Sequence, residues 1–183
     1  ALKDKFEFII VSSGAIAAAR QFVKLEHNGE EINVKQALAS IGQPHLMRIF
    51  QENFRELGLF TSQCLLSYSD FENEQTRANI KNTINVLVAN NFIPIINEND
   101  TVATDEIKFG IYTKSSLTTS TPKTIESVSD LTKLLKEIGE SKSTHGTGGM
   151  QSKIDAATIA QKAGIETWIT NGLNDNFIVD AIE

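Results

Sequence analysis

Short apolar runs alternate along the chain with longer stretches in which apolar residues recur every three or four positions. The run 6–11 is β-branched and almost continuously apolar, which predicts a strand of a parallel sheet buried on both faces, and the run 92–96 predicts another buried strand. The predicted strands are 6–11, 59–67, 92–96 and 166–170. The predicted helices are 15–20, 35–57, 76–91, a short one over 131–138 and 154–163. The alternation of the two element types predicts an α/β fold with a mostly parallel sheet.

Glycine and proline refine these boundaries. Gly42 and Pro44 are predicted to break the stretch 35–57 into two helices, with Pro44 near the first turn of the second. Gly58 is placed like a helix C-cap. Pro94 lies inside a strand, where it cannot donate a hydrogen bond, and this predicts an edge or bulged strand.

Composition narrows the class of protein. A length of 183 residues predicts a single domain, and one cysteine, Cys64, cannot form an internal disulfide, which fits a reducing, cytoplasmic location. The net charge of −6 argues against nucleic acid or an anionic membrane as the main partner. No window approaches the apolar length that a membrane span needs.

The first turn with possible chemistry is Ser12-Ser13-Gly14, between a predicted strand and a predicted helix. Ligands of open α/β sheets bind outside the carboxyl ends of the strands, and a helix start there suits a carboxylate or phosphate. The alternative is ordinary helix capping, with the glycine allowing a tight turn. A nucleophilic role for Ser13 is not indicated, because no G-x-S-x-G elbow surrounds it.

The second turn is Asn97-Glu98-Asn99-Asp100, directly after the third predicted strand. Its acids suit an ammonium group or, through water, Mg²⁺, and its amides add fixed donors and acceptors. The alternative is a solvated turn, because Asn and Asp favour turns in any case.

The third turn is Gly146-Thr147-Gly148-Gly149, followed by Lys153. Such a loop lets backbone N–H groups approach a phosphate, and the lysine adds a mobile positive charge. The spacing is not that of a Walker A motif, and a flexible turn is the alternative. The three histidines are too scattered to predict a metal site, so none is assigned; with Cys64 they are expected to be structural or at the surface.

Four ordered segments together resemble one known family. They are IIVSSGAIAAAR, KQALASIGQPHLM, FIPIINENDTVATDEIKFG and HGTGGMQSKIDAA. They resemble the glutamate 5-kinases of the amino acid kinase superfamily. The resemblance implies a three-layer α/β/α sandwich around a mostly parallel sheet, and ATP- and Mg²⁺-dependent phosphorylation of the side-chain carboxylate of L-glutamate, the first step of proline biosynthesis.

The resemblance also implies roles for individual residues. Ser13 and Asp100 are expected to bind glutamate, with Gly14 and Asn97 in the same pocket. Lys153 is expected to be catalytic, pairing with the phosphoryl group in transfer. The residues expected to hold the ATP phosphates are Thr147, Gly148, Gly149, Met150, Gln151, Ser152 and Lys153.

Further expectations concern partners. The resemblance implies feedback inhibition by proline, assembly as a homo-oligomer (dimer or tetramer) and a glutamyl-phosphate reductase that receives the product. Two alternatives remain open: a catalytically inactive module that binds glutamate or proline, and a sister kinase acting on another amino acid or on acetylglutamate.

The chain departs from the family pattern in three places. The family's first strand and its Lys-x-Gly-Ser/Thr turn are not seen, and the match ends near Glu183 without a C-terminal PUA domain. Between Gly110 and Ile111 the family carries an Asp-Asn-Asp segment, a helix and a strand, or roughly 25–30 residues. We therefore predict that residues 1–183 are one amino acid kinase domain, incomplete at its N-terminus and at the 110/111 junction.

Overall fold

A computed structural model describes residues 7–25, 31–103 and 150–169 of the chain. The chain divides into two compact units, Ala1–Lys108 and Phe109–Glu183. In the first unit the elements are β1 (Ile10–Val11), α1 (Ala15–Arg20), α2 (Ile32–Glu56), β2 (Phe60–Leu66), a short 3₁₀ helix (Tyr68–Phe71), α3 (Glu74–Ala89) and β3 (Phe92–Glu98). In the second unit the structure describes one helix, α4 (Met150–Lys162).

The first unit is a parallel α/β sheet, as predicted. The described strands have the order β1-β3-β2, and β3 pairs in parallel with both neighbours. The connection through α1 and α2 crosses the sheet in one direction, and the connection through α3 returns. Because parallel crossovers are right-handed, the two sets of helices lie on opposite faces of the sheet, which gives three layers.

The prediction that a strand is buried on both faces is confirmed for β3 and is wrong for the first strand. In β3, Ile95 and Pro94 are fully buried although their side chains point to opposite faces. The first strand is shorter than predicted, and Ile9 and Val11 near its ends are 50% and 79% exposed. Its position at one end of the sheet explains the difference, since β3 is the only described strand beside it.

The prediction that Pro94 marks an edge or bulged strand is also wrong, because β3 is the central strand of the described sheet. The carbonyl of Ile96 accepts a hydrogen bond from Ser12 N at 2.8 Å, so Ile96 and Pro94 present their backbones to the β1 side. Pairing on that side begins at Ile10 with Ile95. The missing N–H of Pro94 therefore falls just before the paired stretch and costs no hydrogen bond within it.

Helix α2 is continuous over 25 residues, so the predicted break at Gly42 and Pro44 is wrong. Proline inside a helix costs about 3 kcal/mol. Buried residues on both sides of it, including Leu38 and Met47, offset that cost by packing. The helix ends as predicted, with Gly58 at φ 71° and its N–H donating to the Arg55 carbonyl at 3.0 Å.

Gly42 is required by space and not by its backbone conformation. A Cβ at this position would lie 1.8 Å from the carbonyl oxygen of Ala15 and 2.8 Å from the amide nitrogen of Ala19. The two helices α1 and α2 therefore approach each other at the distance of backbone contact. Ala19 is fully buried there and forms a small core with Val34 and Leu38.

In the second unit, α4 ends at Lys162, close to the predicted boundary, and Gly164 follows with φ 75°. The predicted short helix over 131–138 lies outside the described residues. The predicted last strand is not formed over residues 166–169, which are irregular and exposed. A strand needs a partner for its backbone hydrogen bonds, and the described part of this unit contains none. Among the helices that the structure describes, none has the length and apolar character needed to cross a membrane.

Candidate active site

Two of the three predicted turns meet at one edge of the sheet. Val11 pairs with Ile96, and the next residue, Ser12, bonds to the Ile96 carbonyl. Because the strands are parallel, the turn after β1 (Ser12 to Gly14) and the turn after β3 (Asn97 to Asp100) emerge side by side. The structure thus places side by side the two turns that the resemblance assigns to one glutamate pocket, and their role stays a prediction.

The turn after β1 is shaped by Gly14. This residue has φ 107° and ψ 9°, a left-handed conformation that glycine adopts without strain, and it is the N-cap residue of α1. Ser13 is exposed, and its carbonyl accepts a hydrogen bond from the Ser12 hydroxyl at 3.2 Å. Ser13 is thus placed at the surface of the carboxyl edge, where a ligand could reach it.

The turn after β3 is held by backbone bonds. Asn99 N donates to the carbonyl of Leu66 at 2.8 Å, which ties the turn to the end of β2. The Asn99 carbonyl in turn accepts from the amides of Val102 and Ala103 at 3.0 and 2.9 Å. Asp100 lies inside this closed turn, so its position is fixed by three backbone bonds around it.

Asn97 points away from solvent and into α2. Its side chain is 6% exposed, and its Nδ2 donates to Oε1 of Gln43 at 2.8 Å. Its Oδ1 accepts from the backbone N–H of Glu98 at 2.9 Å. Buried polar groups are stable only when they are bonded, so this pair fixes both the turn and the facing side of α2.

A narrow cleft of about 10 Å³, which has room for about one water molecule, lies beside this pair. It is lined by Ala39, Gln43, Leu65, Glu98, Asn99, Asp100 and Thr101. The lining supplies two carboxylates and two amides, and these groups can pair with an ammonium group and with a hydrogen-bond acceptor of a ligand at the mouth of the cleft.

The third predicted turn lies in the second unit. Thr147, Gly148 and Gly149 are outside the described residues. Met150 to Ser152 begin α4, and Lys153 follows in its first turn with an exposed side chain. A lysine so placed is free of burial and can reach a phosphate in solvent.

The described residues include one of the three histidines, His45. Among these residues no group of three or more His, Cys, Asp and Glu side chains is arranged to hold a metal ion. His45 has a structural setting, with its ring 5.0 Å from that of Phe22 and its Nδ1 3.2 Å from Arg48 Nη2. Its role as a packing residue agrees with the prediction; His27 and His145 lie outside the described residues.

The residue that sequence reasoning missed is Gln43. It received no interpretation of its own, because the residues on either side of it, Gly42 and Pro44, were predicted to break the helix. The signal was present: a glutamine at an inward-facing helical position, four residues after Ala39, is a polar side chain where the spacing predicts an apolar one.

The family model described as "Amino acid kinase family" matches residues 1–121, about two thirds of the chain. The chain belongs to the amino acid kinase family. It is 37% identical over 199 residues to a glutamate 5-kinase of Pelagibacter ubique and 36% identical over 207 residues to one of Vibrio campbellii. It is 37% identical over 196 residues to glutamate 5-kinase 2 of Bacillus subtilis.

In the order just given, these matches cover 94%, 98% and 92% of this chain. They cover 54%, 55% and 53% of the relatives, so the chain spans about half the length of the curated relatives it matches. The comparison with the Vibrio campbellii relative runs over 207 positions but takes in 98% of 183 residues, or about 179. About 28 positions therefore have no residue of this chain opposite them.

Proposed function

We propose that this chain is the catalytic domain of a kinase that transfers the γ-phosphoryl group of ATP to the side-chain carboxylate of L-glutamate. The relatives named glutamate 5-kinase and the kinase family to which the chain belongs support the reaction class. The observation that carries the substrate class is the cleft at the carboxyl edge, where Asp100, Glu98 and the Asn97–Gln43 pair meet.

The cleft suits the head group of an amino acid. An α-ammonium group needs carboxylate acceptors, and Asp100 and Glu98 supply them at the end of β3. The exposed Ser13 and the glycine turn beside it are proposed to contact the rest of the substrate, from the adjacent strand end. A short dicarboxylic amino acid would then extend its side-chain carboxylate out of the cleft.

The proposed reaction needs no general base. The side-chain carboxylate of glutamate is ionised at neutral pH, so one of its oxygens attacks the γ-phosphorus directly. The new bond joins that oxygen to phosphorus, and the bond from the γ-phosphorus to its bridging oxygen breaks, leaving ADP with the electron pair. What the protein supplies is in-line positioning and positive charge on the transferring group.

Residues of the second unit are proposed to bind ATP. Lys153 is an exposed cation at the start of α4, and this fits a partner for the phosphates. When bound, Mg²⁺ would neutralise phosphate charge; it takes one or two carboxylates and the phosphate oxygens themselves, so a preformed cluster of three ligands is not required.

The direct test is glutamate-dependent formation of a hydroxamate from hydroxylamine in the presence of ATP and Mg²⁺. Acetylglutamate and aspartate serve as competing substrates, because a sister kinase would prefer one of them. Activity with glutamate is expected to exceed both. Absence of turnover with glutamate, or preference for another acceptor, would overturn the proposal.

Two variants test the site. Lys153→Ala is expected to lower kcat by about 100-fold or more, the scale seen when a transition-state charge partner is removed. Asp100→Asn is expected to raise the glutamate KM by about 10- to 100-fold with little change in the ATP KM. Lys162→Ala, in the last turn of the same helix, and Glu52→Gln, an exposed acid of α2, are matched controls expected to behave like the unmodified chain.

A second candidate function is a module that binds glutamate or proline without turnover. It would follow if the family segment expected between Gly110 and Ile111 were truly deleted; the roughly 28 unmatched positions in the comparison with the Vibrio campbellii relative agree in number with that segment. We propose that the natural polypeptide carries this segment. An intact mass of 20.1 kDa would contradict that proposal. Calorimetric binding of glutamate without turnover would then favour the module.

Finer features follow from the same proposal. We infer a cytoplasmic enzyme of proline biosynthesis that is inhibited by proline and assembles as a dimer or tetramer. Its acyl phosphate product is labile in water, so a glutamyl-phosphate reductase is the class of partner expected to consume it. Inhibition kinetics with proline and light scattering test the first two features.

A further inference from the structure

Gln43 carries a buried donor that the rest of the described chain leaves unused. Its side chain is 8% exposed, and its Nε2 atom is buried with no hydrogen-bond partner among the described residues. A buried amide that lacks a partner costs about 1–3 kcal/mol. A ligand atom that reaches Nε2 and accepts from it would remove this cost.

The orientation of this amide is determined by its neighbours. The backbone N–H of Glu98 can only donate, so the Asn97 atom that receives it is Oδ1. Nδ2 of Asn97 must then face Gln43, and the atom of Gln43 that accepts from it is Oε1. Nε2 of Gln43 is consequently turned away from Asn97, while Gln43 lines the acidic cleft.

We propose that Nε2 of Gln43 donates a hydrogen bond to the α-carboxylate of the bound amino acid. This inference rests on the proposed function. The α-ammonium and α-carboxylate of an amino acid share one carbon, so their binding groups must lie side by side. The same cleft brings the carboxylate of Asp100 and the amide of Gln43 together, which is the pair that such a head group requires.

The principal variant is Gln43→Glu. It keeps an acceptor for Asn97 and nearly the same volume, but it places a carboxylate where the donor stands. The glutamate KM is expected to rise by about 10- to 100-fold at pH 8, with the ATP KM unchanged. At lower pH the new carboxyl group becomes protonated and can donate again, so the KM of the variant is expected to fall toward that of the unmodified chain.

The chain offers a matched control. Gln75 and Asn79 form a second glutamine–asparagine pair, with Nε2 to Oδ1 at 3.1 Å, exposed on α3. Gln75→Glu is expected to leave both KM values and their pH dependence unchanged. Gln43→Met, which removes both polar atoms at similar volume, is the second variant; it is expected to raise the glutamate KM at every pH.

Two substrate analogues test the same bond without any substitution. 4-Aminobutyrate lacks the α-carboxylate and glutarate lacks the ammonium group. In the unmodified chain 4-aminobutyrate is expected to bind about 10- to 100-fold more weakly than glutamate. In Gln43→Glu that difference is expected to disappear.

The outcomes separate the two proposals. Turnover of glutamate with an unchanged KM in Gln43→Glu, or a change in thermal stability alone, overturns the role of Gln43 and leaves the proposed function standing. Equal binding of glutamate and 4-aminobutyrate by the unmodified chain also overturns it. Neither binding nor turnover of glutamate by the unmodified chain overturns the proposed function, and this inference with it.

Discussion

The two helical layers of the first unit differ in how tightly they are packed. Helix α2 buries eight of its 25 residues and meets α1 at backbone distance through Gly42. Helix α3, on the opposite face, has 16 residues, all described, and none of them is buried. Beside it lies an open groove of about 300 Å³ lined by Phe71, Arg77, Ile80, Lys81, Ile84 and Asn85.

The difference shows where the site obtains its rigidity. Gly42 touches the chain at the turn after β1, and its neighbour Gln43 holds the turn after β3. One turn of α2 therefore contacts both turns at the carboxyl edge of the sheet. The α3 layer contacts β3 from the other side and contributes no residue to the cleft lining.

The largest expected contrast is in side-chain burial. Phe54→Ala in α2 removes a side chain that is 5% exposed and is expected to destabilise the fold by about 3–5 kcal/mol. Val86→Ala in α3, at a position 62% exposed, is expected to change stability by less than about 0.5 kcal/mol. Urea unfolding of both variants measures the contrast, and similar midpoints would contradict the difference between the layers.

A second contrast concerns the close approach of α1 and α2. Gly42→Ala places a methyl group 1.8 Å from the Ala15 carbonyl, so the helices must separate, at a cost of about 3 kcal/mol. The glutamate KM is also expected to rise, because the turn at Ser13 moves. Gly58→Ala has open space but φ 71°, and is expected to cost about 1 kcal/mol without any effect on KM.

A smaller loss of stability is expected from a substitution at Gly14, in the turn after β1. Its φ of 107° strains any residue with a Cβ, although no atom stands within 4 Å of that position. Gly14→Ala is expected to destabilise by about 1–2 kcal/mol and to raise the glutamate KM more than Gly58→Ala does. Equal KM values for these two variants would remove the turn after β1 from the substrate site.

Much of this architecture follows from sequence periodicity. The strands β2 and β3 and the helices α1, α3 and α4 lie within a few residues of their predicted bounds, since each has a local apolar pattern. The turns after β1 and β3 were expected to share a site because the resemblance assigns Ser13, Gly14, Asn97 and Asp100 to one glutamate pocket. What periodicity could not give is which strands are neighbours.

The errors have the same physical origin. The predictions for Pro94 and Pro44 considered only the hydrogen bond that a proline removes from its own strand or helix. In the fold, Pro94 lies where no hydrogen bond of the paired stretch is lost, and packing around α2 offsets the cost of Pro44. Gln43 was missed because its partner is 54 residues away in the sequence. Long-range contacts of this kind leave no periodic signal.

The α3 layer offers a smaller test at its N-terminus. The Asn73 side chain accepts from Thr76 N at 3.1 Å and caps the helix. Asn73→Ala is expected to destabilise by about 1 kcal/mol, whereas Asn79→Ala, in the middle of the same helix, is expected to cost a few tenths. Neither variant should alter the glutamate KM, since α3 does not line the cleft; a changed KM would show that the two layers are coupled.

The smallest expected effect is on the rate at which the Cys64 thiol is alkylated. It pairs in register with Ile96, whose side chain faces away from Asn97 and α2, so the thiol faces the α3 layer. Burial raises the pKa of the Cys64 thiol, so less of it is thiolate at pH 8 and alkylation should be slower than for a free cysteine. The thiol ionises at lower pH in the unfolded chain than in the folded one, so this group lowers the free energy of unfolding as pH rises from the unfolded pKa through the folded pKa.

Asn73→Ala loosens α3 and should speed alkylation of Cys64, while Gln43→Glu, on the other face of the sheet, should not. Equal acceleration by both variants would mean that the two faces of the sheet do not open independently.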